Sequence, residues 1–181
     1  MNLTCSGNCR FVFTIAALCA ELFHLGWEHT HGGVLAHHLL NNPELPAISN
    51  WWGALLIPLL AWWLVGRIDA RVAARRRGQE HGRIAPWTGF VAALAYGAAM
   101  ATAFALGSPL VEILFFALLA CALLLRTWHA QYVLGFVLGM TFVFGAVLPA
   151  LIAGVIAALS WTVHLVAGAV WRRLRTPGGL A

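Results

Sequence analysis

The chain has 181 residues, 61% of them hydrophobic and only 9% charged, with a mean hydropathy of +0.82. A soluble domain usually carries about 25% charged residues, so this composition excludes an ordinary soluble fold and points to an all-α polytopic membrane protein. The net charge of +5 rests on eleven basic residues, all arginine. Lying in short segments between apolar runs, they read as topology signals and contacts with anionic lipid, not as a nucleic-acid surface.

In chain order, Cys5 and Cys9 open the sequence at a spacing that suits either a metal or a disulfide, and two cysteines establish neither. The apolar run after Arg10 lacks a clean cleavage site, so an uncleaved first span is expected over about 10–27. Polar, glycine-rich sequence follows to Asn50. It contains an apolar patch at Val34–Leu40 that is too short to span, expected as an interfacial turn of helix or a re-entrant piece. Asn41-Asn42-Pro43 and Pro46 break any helix there.

Ser49 or Asn50 can cap a second span over about 49–68, with Trp51-Trp52 and Trp62-Trp63 as belt residues. Further spans are expected at 87–106, 109–126, 128–147 and 150–171, giving a single domain built as a six-helix transmembrane bundle. Gly135-x3-Gly139 in the fifth span permits close helix approach and offers a face for an oligomer. Cys19 and Cys121 read as small buried hydrophobes.

Arg10, the arginine linker at 67–86, Arg126 and the C-terminal arginines all fall on one side of six spans. The positive-inside rule then puts both termini in the cytoplasm and the histidine-rich loop outside, in the periplasm if the membrane is a bacterial inner membrane.

Five of the eight histidines and two of the six acidic residues lie within Glu21–His38. Charge inside a bilayer costs about 2.5–3.5 kcal/mol per residue and needs a partner or a cavity. Glu21, His24, Glu28 and His31 form one stripe on a continuous helix, as two consecutive Glu-x-x-His units. In di-metal carboxylate bundles this unit presents an oxygen and a nitrogen to one metal. Gly32-Gly33 would let His37 or His38 fold back over the stripe.

A metal site is one reading, with Glu21, His24, Glu28, His31, His37 and His38 as candidate ligands. Zinc comes first, and copper, iron or manganese suit the same mixed donors. In that reading Glu28 and Glu112, the latter expected in the outer half of the fourth span, are candidate bases for a metal-dependent hydrolase acting on a lipid or amphipathic substrate. A small cation or proton transporter, channel or metal-handling protein is the second reading, although polar residues toward the inner side are few. A structural or assembly subunit, with the histidines simply hydrogen-bonded or solvated, is the third.

His129 and His164 differ in depth by roughly 10 Å and suit individual hydrogen bonds better than a shared metal, while His81 is expected in solvent. Gly-x-Ser-x-Gly, the Walker loop, the dinucleotide fingerprint and His-Glu-x-x-His are all absent.

Overall fold

A computed structural model describes residues 7–38, 44, 46–78 and 85–175, the side chains of 7–9 and 37 excepted. Cys5, His81 and the break at Asn41–Pro43 lie outside the described residues. Six helices follow in order: α1 Gly7–Thr30, α2 Gly53–Arg76, α3 Pro86–Ala105, α4 Leu110–Leu124, α5 Ala130–Phe144 and α6 Val147–Arg175. Two short strands, β1 Ala36–His38 and β2 Ala47–Ser49, pair antiparallel between α1 and α2, with His37 opposite Ile48. Within the apolar patch, the segment 34–38 is therefore a loop leading into a short strand, not a turn of helix. Its backbone finds partners in β2, and Asn50 N–H donates to Leu35 C=O at 2.9 Å.

Local sequence explains the ends. α1 stops where Gly32 and Gly33 take φ values of 124° and 101°, which an L side chain resists, and Gly33 N–H returns to Glu28 C=O. Ser49 Oγ accepts from Trp51 N–H and caps a single 3-10 turn, Asn50–Trp52, that leads into α2. Pro86 occupies the first turn of α3, where its missing N–H costs nothing. α2 continues to Arg76, well into the arginine-rich segment expected as linker.

Four helices are long and apolar enough to cross a membrane, and α4 and α5 are shorter apolar helices. At 15 residues each, the latter two reach about 22 Å, short of a ~30 Å hydrocarbon core. α5 is the central element, packed on α3, α6 and α2, and it contributes the buried residues Leu134, Phe136, Val137 and Met140. The outer surface carries large apolar side chains such as Phe23, Phe116, Leu124 and Phe142. Such a bundle, with its apolar residues turned outward, belongs in lipid.

α3 and α5 run parallel and form the most extensive contact. A Cβ on Gly135 would fall 2.4 Å from Phe90 O, and one on Gly139 would fall 2.3 Å from Leu94 O. The close approach that these glycines permit is thus made to α3 of the same chain, and α3 fills the face that the sequence offered to a second copy. α1 lies against α2 with Arg10 beside Trp62 and Gly66, Glu21 beside Gly53, and Glu28 beside Asn50, so the two helices are antiparallel. Arg10 Nε donates to Trp62 C=O at 2.6 Å and its guanidinium lies 4.0 Å from the Trp62 ring centroid. Arg71 reaches Gln131 at the start of α5. Arg10, Arg67, Arg71 and Arg126 are therefore gathered at one end of the bundle, and the strand pair lies at the other.

Candidate functional site

The face of α1 nearest the strand pair carries three buried ionisable side chains, Glu21, His24 and Glu28, at three- and four-residue spacing. Helix geometry alone stacks them on one side. Their surroundings differ sharply.

Glu28 sits in the last turn of α1 and is hydrogen-bonded on both oxygens. Asn50 Nδ2 donates to Oε1 at 2.7 Å, and Leu35 N–H donates to Oε2 at 3.3 Å. Asn50 is itself buried, and its side-chain oxygen fills the space where a Cβ on Gly145 would stand. Gly145 has φ +65° in the turn between α5 and α6, so glycine there serves both the backbone and Asn50. One carboxylate thus joins the end of α1, the loop before β1 and the entry to α2, with the α5–α6 turn packed on its partner.

His24 lies one turn below. Its Nε2 faces Glu28 Oε1 at 3.6 Å, longer than a hydrogen bond but close enough to orient the ring. The imidazole packs on Phe142 of α5, with ring centroids 5.0 Å apart. Its Nδ1 is buried and has no hydrogen-bond partner among the described residues. Glu21 is 3% exposed, and its Oε1 is likewise buried and, among the described residues, unpartnered. That oxygen occupies the place of a Cβ on Gly53, 1.8 Å from where the atom would lie.

Glu21 and His24 line one cavity of about 260 Å³ between α1, α2 and α5, whose other walls include Phe13, Ala17, Ile57, Leu138, Thr141 and Phe142. The Thr141 hydroxyl is already committed to Val137 C=O at 2.7 Å. A cavity of otherwise mainly apolar lining is thus bordered by two residues that each carry a buried polar atom with no hydrogen-bond partner among the described residues.

The remaining candidates stand elsewhere. His31 lies just past the end of α1, exposed, with its ring stacked on Trp27 at 3.7 Å and Nδ1 2.9 Å from Trp27 O. The helix ends before the second Glu-x-x-His unit is complete, so the stripe of four is a stripe of three. His38 is exposed on β1, and the described structure of His37 is limited to its backbone in the ladder. Glu112 is exposed in the first turn of α4, a helix packed on α6 and α3, and it is not a lining residue of the cavity. Among the described residues, no three His, Cys, Asp or Glu side chains stand together as a group able to hold a metal ion.

His164 bonds to Ser160 C=O at 2.9 Å, the individual hydrogen bond expected of it. Asn50, Gly53, Gly145 and Phe142 belong to the site and were not selected from the sequence. A polar Asn immediately before a tryptophan-rich span was a usable signal, since a buried carboxylate must find a donor.

The fold and the buried polar cluster define a multi-pass helical membrane protein. No protein-family model matches the chain, and neither a curated protein nor a solved structure matches it significantly.

Proposed function

We propose that this is a metal-handling membrane protein that binds a divalent cation, zinc first, at Glu21 and His24. The observation that carries the reading is that Glu21 Oε1 and His24 Nδ1 are both buried and without a hydrogen-bond partner among the described residues, and that both residues line the same cavity. An unmet buried polar atom costs about 1–3 kcal/mol, a cost that a bound cation would relieve. Carboxylate oxygen and imidazole nitrogen are ordinary zinc donors.

Glu28 supports the reading from behind. Glu28 Oε1 faces His24 Nε2 at 3.6 Å, so a proton on Nε2 would leave the Nδ1 lone pair for a cation. A carboxylate beside the second nitrogen of a histidine is the usual arrangement behind a metal ligand. Glu28 is then a positioning residue, not a ligand. Two protein donors leave the other coordination positions to water or to an incoming group, and such a site exchanges its metal readily. Capture and transfer fit this better than lipid hydrolysis, because Glu28 is tied to Asn50 and Leu35 and Glu112 is exposed on α4, so neither supplies a base at the cavity.

In this proposal the strand-pair end faces outside and the arginine end faces the cytoplasm, by the positive-inside rule. Titration of purified, metal-stripped protein with Co²⁺ and Zn²⁺, followed by absorption and calorimetry, tests the binding. One saturable equivalent is expected, with affinity falling at least about tenfold in Glu21→Gln and in His24→Ala. No saturable binding, or binding unchanged in His24→Ala, overturns the reading.

A further inference from the structure

The opposite end of the bundle holds a second candidate site, independent of the metal reading. A groove of about 500 Å³ runs between the later turns of α2 and the start of α5, and Arg67, Arg71, Trp128 and His129 are among its lining residues. Gly66, Ala70 and Ala74 line it at four-residue spacing, so this face of α2 carries little side chain of its own, and the guanidinium of Arg10 packs over Gly66. Arg67 and Arg71 stand one turn apart beside that floor. Arg71 also donates to Gln131 Oε1 at 3.4 Å, which ties the groove's two walls together. A guanidinium has five N–H donors, so it can hold protein partners and an anionic ligand together.

Among the described residues, the groove's lining holds two arginines and no carboxylate. Asp69, an acidic residue in this part of α2, is not among the groove's lining residues. α5 begins at the groove, and the positive end of its dipole adds to the arginines. Trp63 and Trp128 mark the interfacial belt at this level, with Arg67 5.3 Å from the Trp63 ring centroid and Arg126 6.0 Å from that of Trp128. The alanines and Trp128 supply an apolar wall, which a free anion does not need and a glycerolipid does.

We propose that this groove binds the phosphate of an anionic phospholipid, with the guanidinium groups of Arg67 and Arg71 on the phosphate oxygens and the glycerol against Trp128 and the alanine face. Arginine suits the task because its planar fork matches two phosphate oxygens at once.

Native mass spectrometry of the full chain, released from detergent, tests this with dihexanoyl phosphatidylglycerol, dihexanoyl phosphatidylcholine and inorganic phosphate as probes. Phosphatidylglycerol is expected to be retained one to one, with affinity falling about tenfold when Arg67→Gln and Arg71→Gln are combined. Combining Arg172→Gln and Arg173→Gln removes the same charge from the end of α6 and is expected to change affinity less than about twofold. An equal loss in the two pairs overturns the site in favour of diffuse attraction. Inorganic phosphate bound as tightly as phosphatidylglycerol overturns the lipid assignment, and so does equal retention of phosphatidylcholine. Should the glutamine pair fail to fold, Arg67→Lys with Arg71→Lys keeps the charge and the aliphatic stems. Full affinity in that variant overturns the guanidinium–phosphate geometry.

Discussion

Asn50 Nδ2 donates to Glu28 Oε1 at 2.7 Å across 22 residues of sequence, with both side chains buried. The bond closes the histidine-rich loop, since the ladder β1–β2 lies entirely between its two ends. Removing the donor leaves a buried carboxylate short of a partner. Asn50→Ala is therefore expected to destabilise the protein by about 1–3 kcal/mol, read as a lowered Tm in detergent. Asn50→Asp places a second carboxylate against Glu28 and is expected to cost more at neutral pH. A Tm unchanged in both variants would show that the bond contributes nothing to the closed loop.

Ser160 performs a similar task at the arginine end. Fully buried on α6, its Oγ accepts from Thr127 N–H at 3.2 Å and donates to Leu125 C=O at 2.8 Å. One hydroxyl thus satisfies two backbone groups in the break between α4 and α5. Ser160→Ala deletes both bonds, and a loss of about 1–3 kcal/mol is expected. Ser160→Thr keeps the hydroxyl and separates that loss from changes in packing. If alanine is tolerated and threonine is not, space at Ser160 matters and the hydrogen bonds do not.

The contact between α3 and α5 depends on glycine in a way that is testable with one methyl group. A Cβ on Gly139 would meet Leu94 O at 2.3 Å and Ala98 N at 2.8 Å, both backbone atoms that cannot swing aside. Gly139→Ala must push the helices apart, and a destabilisation of about 1–3 kcal/mol or more is expected. Gly154→Ala on α6 opens into free space and is the matched control, expected to be neutral. Equal thermal stability of the two variants would be incompatible with this packing.

The six-helix bundle was legible because it follows from composition and run length, which a bilayer reads almost directly. Arginine placement was legible for the same reason: the arginines with observed contacts do gather at one end. The site was legible only in part. Glu21, His24 and Glu28 share a face because helical spacing is local, whereas His31 left the stripe when Gly32 and Gly33 ended the helix one residue too early for it. Asn50, Gly53 and Gly145 reach the cluster through tertiary contacts, which no spacing rule encodes. The Gly135–Gly139 face showed the same limit: sequence revealed a surface made for close approach, but not which helix would use it.

The strongest discrimination between a structural and a functional Glu21 comes from Gly53. A Cβ there would fall 1.8 Å from Glu21 Oε1 and 3.5 Å from Ala146 Cβ. The obstacle is thus the end of a flexible side chain, which can rotate away, and not backbone. Gly53→Ala is expected to keep the fold, with a Tm within a few degrees of the parent, while moving the carboxylate from its place beside His24. Under the metal proposal that displacement weakens cation binding by about tenfold or more, since a ligand must sit within fractions of an ångström of its productive position. Gly26→Ala, on the same helix as Glu21 and in open space, is the control and is expected to bind normally. Calorimetric titration with Zn²⁺ on the three proteins measures the difference. Retained affinity in Gly53→Ala alongside a retained fold would mean that Glu21 is not a ligand, and the proposed pair would be reduced to His24.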